Sequence, residues 1–168
     1  MVKCGNFLLF AFLAKNKIEH KKLLLIGNNN INIDTKGRLA IPTKYRPDLA
    51  LACAGKMVLA RSPRERCLWL YPLPVWEEIQ AKIVAMPSGN KGAERYRHVL
   101  LGTAEVLEMD GSGRILIKEN LREMVGLSKE TCLVGQGNKF EIWDLGQWGS
   151  RFEEWLDEAQ DDSIEMSL

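Results

Sequence analysis

The chain says one thing twice. Asp34-Thr35-Lys36-Gly37-Arg38-Leu39-Ala40-Ile41 returns as Asp110-Gly111-Ser112-Gly113-Arg114-Ile115-Leu116-Ile117, keeping the aspartate, the second glycine, the arginine and the closing isoleucine. Further on, Leu68-Trp69-Leu70-Tyr71 with Trp76 realigns with Phe140-Glu141-Ile142-Trp143 with Trp148. Self-similarity of this kind marks a duplicated supersecondary unit. A unit of fewer than about fifty residues buries too little of its surface to stand alone. Two copies, or two chains, must therefore share a core, and strand pairing between copies, as intertwined hairpins in a homo-oligomer, is the natural way to do it.

Each unit opens with an apolar segment, Ile31-Asn32-Ile33 or Val106-Leu107-Glu108-Met109. An Asp-x-x-Gly-Arg turn and a second apolar segment follow, which together read as a β-hairpin whose glycine supplies positive φ. A short helix is expected next, over Thr43 to Ala52 with Pro47 in its first turn, and over Glu119 to Val125 with Gly126 as its C-cap. Two strands close each unit: Met57–Ala60 with Leu68–Tyr71, and Cys132–Val134 with Phe140–Trp143. Between the units, Val75, Trp76, Ile79 and Ile83 recur at helical spacing from Pro74 to Ala85, and a second helix is expected from Lys91 to Leu101. The last helix, Gln147 to Gln160, keeps Trp148, Phe152, Trp155 and Leu156 on one face before the pattern ends at Asp161-Asp162-Ser163.

Net charge selects no partner, because 23 Lys+Arg face 22 Asp+Glu in the 168 residues, but the distribution is uneven. From Ile31 to Arg66 the bases Lys36, Arg38, Lys44, Arg46, Lys56, Arg61, Arg64 and Arg66 outnumber the acids Asp34, Asp48 and Glu65. That stretch suits a polyanion. From Glu141 onward Arg151 stands alone against Glu141, Asp144, Glu153, Glu154, Asp157, Glu158, Asp161, Asp162 and Glu165, so the tail repels what the front attracts.

The residues of catalysis are missing as patterns. Cys4, Cys53, Cys67 and Cys132 form no C-x-x-C pair, and His20 and His98 are the only imidazoles. No zinc site and no secreted disulfide framework is expected, and the cysteines read as buried or inert thiols. Walker, G-x-S-x-G and H-E-x-x-H motifs are absent. Gly135-Gln136-Gly137 reads as a hairpin turn. The run Phe7 to Ala14 is far short of the roughly 20 apolar residues of a membrane helix and lacks a small-residue cleavage site, so neither a span nor a signal peptide is expected. Trp69, Trp76, Trp143, Trp148 and Trp155 sit in strands or on apolar helix faces, where core packing outweighs base stacking.

The Asp-x-x-Gly-Arg turn has a plain reading: a polar loop whose aspartate caps its own backbone. Backbone geometry does not require an arginine at its end, yet the arginine returns. Its fork suits phosphates, or guanine in a major groove, while the aspartate orients the loop or the arginine.

From about Gly27 to Trp148 the sequence resembles the MraZ family of bacterial transcriptional regulators. The resemblance rests on Asp34 to Pro42, Leu70-Tyr71-Pro72-Leu73-Pro74, Leu100-Leu101-Gly102, and Leu133 to Asp144. It implies an α+β, mainly β fold: two tandem swapped-hairpin (AbrB/MazE-like) β-barrel units sharing a core, with flanking helices. The units would span 28–75 and 104–147, joined by helices over 76–103, with an N-terminal extension over 1–27 and a C-terminal helix and acidic tail over 148–168. It further implies a cytoplasmic, nucleoid-associated protein that assembles as a ring-like homo-oligomer. Such a protein binds direct repeats of double-stranded DNA in the promoter of its own division and cell-wall gene cluster, as a repressor. Carried onto this chain, Lys36 and Arg38 become DNA contacts and Arg114 a second-turn contact, with Asp34, Gly37, Asp110 and Gly113 shaping the loops. No catalytic residue, metal, cofactor, small-molecule substrate or membrane is implied.

The chain departs from the family in two places. The second turn lacks the lysine of the first, and Lys118 replaces Pro42, which leaves open a mainly structural role for that turn. Residues Met1 to about Leu23 are extra, and translation is expected to start near Leu24. The rival reading is an antitoxin-like protein whose acidic tail grips a basic partner.

Overall fold

The structure is a computed structural model and describes residues 23–161. The expectations about the leader, including its apolar run, Cys4, His20 and the start near Leu24, fall on or before the edge of the described residues, and those on the tail after Asp161 lie outside them.

The first repeat comprises β1 (Leu25–Asn32), β2 (Arg38–Ala40), a 3-10 turn (Thr43–Tyr45), α1 (Arg46–Cys53), β3 (Lys56–Arg61) and β4 (Leu68–Pro72). Next come α2 (Leu73–Val84) and α3 (Lys91–Arg95), which runs on into a π-helical turn (Tyr96–Leu101). The second repeat follows as β5 (Glu105–Glu108), β6 (Arg114–Leu116), α4 (Glu119–Val125), β7 (Glu130–Gly137) and β8 (Phe140–Asp144), and α5 (Leu145–Asp161) closes the described chain. Helix ends obey local chemistry. Gly126 stops α4 at φ +67°, the Asn90 side chain accepts from the N–H groups of Gly92 and Ala93 in α3, and the Asp144 carboxylate accepts from the N–H groups of Gly146 and Gln147 at the start of α5.

Among the described residues, eight strands make two sheets. Six run antiparallel in the order β1-β7-β8-β4-β3-β5, and β2 and β6 form a separate ribbon. Pairings join the repeats at every level: β1 lies on β7 from Leu25↔Gly137 to Asn32↔Glu130, and β5 lies on β3. The sheet centre is β4 on β8, and the ribbon sets Arg38 opposite Leu116 and Ala40 opposite Arg114. The two halves thus share their strands within one chain.

Alternation along the strands divides the core. Met57, Leu59, Leu68, Leu70, Leu133, Phe140 and Ile142 face one side. There they pack with Leu39, Ile41 and Leu49 of the first repeat and Ile115, Ile117 and Val125 of the second. Val58, Ala60 and Tyr71 face the other side, under Trp76 and Ile83 of α2 and Leu100 of the π turn. Cys67, Cys132, Val134 and Trp143 pack under Trp148 and Trp155 of α5. The tryptophans are packing residues, as expected: Trp143 and Trp76 are buried, and the Trp143 ring lies 5.8 Å from that of Trp148 and 5.9 Å from that of Trp155.

Three expectations need correction. The sheet is not a pair of closed barrels, because among the described residues it ends at β1 and β5. The first hairpin is only one bridge deep, at Ile33↔Leu39. Beyond the turn the arms part, since β1 finds β7 and β2 finds β6, and that divergence is what leaves the sheet open. Finally, β1 begins at Leu25 and not at Ile31: the run Gly27-Asn28-Asn29-Asn30 has low strand propensity, but β7 offers it a full ladder.

Candidate nucleic-acid interface

Each turn is built around one carboxylate. In the first, the Asp34 N–H donates to the Arg38 carbonyl and the Gly37 N–H to the Asp34 carbonyl, both at 2.9 Å. Asp34 Oδ1 accepts from the backbone N–H groups of Lys36 and Arg38 at 2.9 Å, and Oδ2 accepts from Arg38 Nε at 2.7 Å. The second turn repeats this bond for bond. The N–H groups of Ser112 and Arg114 donate to Asp110 Oδ1 at 2.9 Å, and Arg114 Nε donates to Oδ2 at 2.9 Å. The backbone N–H of Arg38, with its side chain and the Lys36 N–H, holds the Asp34 carboxyl below the usual carboxylate range against the opposing effect of desolvation. Arg114 and Ser112 do the same for Asp110.

The aspartate is thus an orienter, and the arginine is what it orients. With Nε held, the Nη groups of Arg38 and Arg114 have no other protein partner among the described residues. Their side chains are 31% and 35% exposed. In the ribbon, Leu39 and Ile115 are fully buried, so by alternation Arg38, Ala40, Arg114 and Leu116 share the outward face. Lys36 is exposed on the tip of the first turn, where the second has exposed Ser112. Lys118 pairs with Glu105 at 3.2 Å.

Gly37 (φ +82°) and Gly113 (φ +77°) are the positions where the turns require glycine. Each is also pressed from the opposite repeat. The Ile117 N–H donates to the Gly37 carbonyl at 2.8 Å, and the Ile41 N–H donates to the Gly113 carbonyl at 2.9 Å. A Cβ on Gly37 would stand 2.8 Å from the Ile117 oxygen and 3.4 Å from Arg122 Nε, and one on Gly113 would run into the Arg46 guanidinium. Arg46 Nε donates to the Ile41 carbonyl at 2.7 Å and Arg122 Nε to the Ile117 carbonyl at 3.1 Å. Sequence reasoning missed these two arginines as a pair. The signal was present, since each follows its turn arginine by eight residues.

Among the described residues no group of three His, Cys, Asp or Glu side chains is placed to hold a metal. Cys53, Cys67 and Cys132 are free thiols whose pKa burial pushes up. His98 Nδ1–H donates to the Glu94 carbonyl at 2.8 Å on the linker helix. Gly135-Gln136-Gly137 ends β7 and enters the β7–β8 turn, where the Gln136 N–H donates to the Lys139 carbonyl. No helix of the described residues is long and apolar enough to cross a membrane.

Fold and turns together define a class: an α+β protein whose duplicated halves share one antiparallel sheet and set two aspartate-locked arginines on one ribbon. The family profile described as "MraZ protein, putative antitoxin-like" matches residues 24–98 and 100–166. The chain is 47% identical over 133 residues to the transcriptional regulator MraZ of Halorhodospira halophila, an alignment covering 79% of this chain and 88% of that protein. With the protein of the same name from Methylococcus capsulatus it shares 45% over 139 residues, covering 83% and 91%. With that from Alkalilimnicola ehrlichii it shares 42% over 142 residues, covering 84% and 95%. The chain belongs to the MraZ family.

Proposed function

We propose that the chain is a sequence-specific DNA-binding transcriptional regulator whose contacts are Lys36, Arg38 and Arg114. One observation carries this reading: the two turns share one hydrogen-bond pattern, which holds each arginine by Nε and leaves its Nη groups for a ligand. Such a fork suits phosphate oxygens or the N7 and O6 edge of guanine. A two-stranded ribbon also fits a major groove. The names of the relatives, transcriptional regulators throughout those compared, support the same reading.

The finer reading follows the family. The units over 28–75 and 104–147 are the two swapped-hairpin arms, supported by the exchange of β1 and β5 between repeats. Several copies assemble in a ring and offer their ribbons to successive direct repeats in the promoter of the chain's own gene cluster, as a repressor in the nucleoid. Multivalency then supplies the affinity that one small ribbon lacks.

The test is binding of the full chain to the DNA upstream of its own gene, titrated with salt, beside Arg38→Ala. Selective, salt-sensitive binding that the variant weakens by about tenfold or more is expected. Equal binding to any duplex, or none, would sink the reading. The exposed acids Glu153, Glu154, Asp157 and Glu158 of α5 and the antitoxin-like family description support a second reading, binding of a basic partner protein. Co-purification of a stoichiometric partner would favour it.

A further inference from the structure

We propose that Arg46 and Arg122 are positioning residues that brace the two turns crosswise, the helix arginine of each repeat holding the turn of the other. For its consequence in binding, this rests on the DNA-binding reading above. The brace itself rests on geometry alone.

Arg46 opens α1 in the first repeat, and its Nε–H donates to the Ile41 carbonyl at 2.7 Å. The same Ile41 donates its N–H to the carbonyl of Gly113, in the second repeat's turn. The guanidinium then lies against Gly113 on the side where any other residue would carry a Cβ. In the mirror arrangement, Arg122 of α4 donates to the Ile117 carbonyl at 3.1 Å, and the Ile117 N–H donates to the carbonyl of Gly37. Arg122 Nε and Nη2 both stand 3.4 Å from the Cβ position of Gly37.

Neither contact closes a helix or fills the core. Each ends on a turn glycine, one residue before the arginine that the turn aims. The turn carries its arginine by the aspartate's three hydrogen bonds, so movement of the turn redirects the fork. A planar, permanently charged group suits this role, since it fills the space left beside a glycine while its Nε–H fixes its angle. Removing Arg46 should therefore misdirect Arg114 and spare Arg38, and removing Arg122 should do the reverse.

The test is a crossed set of double-mutant cycles on the full chain, read as affinity for the duplex upstream of its own gene. Arg46→Met alone is expected to weaken binding about tenfold. Added to Arg114→Ala it should cost nothing further, and added to Arg38→Ala its loss should multiply in full. Arg122→Met should show the opposite pairing. Losses that multiply with both turn arginines would mean that Arg46 touches DNA itself, and equal coupling to both would mean general loosening. Either result overturns the brace.

Amide hydrogen exchange without DNA gives an independent reading. Arg46→Met should speed exchange at Gly113 and Arg114 about tenfold while Gly37 and Arg38 keep their protection. Uniform change, or none, overturns the proposal. If the parent chain binds no DNA selectively, the functional reading fails, and this exchange pattern still decides the brace. Arg46→Lys, which keeps the charge without an Nε–H, serves if the methionine variant does not fold, and the same crossed pattern is expected of it.

Discussion

Asp34 and Asp110 each spend a carboxylate on three donors within five residues of chain, and this gives the turns a pH signature. A carboxyl held below its unfolded pKa contributes stability that is complete above that pKa and is lost as pH falls through the folded value. Carboxyl-carbon NMR of the folded chain should therefore show Asp34 and Asp110 titrating below an aspartate in a model peptide, about 3.9. Midpoints at or above the peptide value would show that the turn bonds do not hold in solution. The aspartate's task is legible in the sequence, because a residue of this type at a turn start accepts from the N–H two residues on. The task of Arg46 is not. Its partner Gly113 lies far along the chain in the other repeat, and nothing in the local stretch Tyr45-Arg46-Pro47 announces a distant glycine.

Helices and strands differ in how openly the sequence declares them. The expected helix Glu119 to Val125 matches α4 residue for residue, since Gly126 is a local stop signal. The expected Lys91 to Leu101 helix divides into α3 and a π turn. Strands depend on neighbours instead, which is why β1 runs six residues earlier than its alternating segment suggested. Its partner pays attention to one feature in particular: Gly135 of β7 faces Gly27, and a Cβ there would stand 2.6 Å from the Leu25 carbonyl and the Ile26 nitrogen. Gly135→Ala should push β1 off β7 and lower stability by about 2 kcal/mol, as overpacking does. Denaturant unfolding checks the magnitude, and loss of amide protection confined to β1 and β7 checks the place. An unchanged midpoint would mean that the strands accommodate a methyl group freely.

At the scale of the whole molecule, duplication predicts a shared core, and the sheet order supplies the particular sharing, in which each repeat lends its first strand to the other. The expectation of closed barrels comes with the family resemblance, while the residues alone give the strands without their partners. The exchange has a consequence for fragments: residues 23–103 alone should show no cooperative unfolding, and mixing them with residues 104–168 should restore it. A cooperative transition in either fragment would contradict the shared sheet. Synthesis imposes the same dependence in time. Thr131 Oγ donates to the Ile31 carbonyl across a separation of 100 residues. At roughly 5–20 residues per second on the ribosome, β1 waits about 5–20 seconds for the strand that will complete it. Until β7 emerges β1 has no ladder, whereas β3, β4 and the helices packed on them are complete by residue 101 and have their partners earlier.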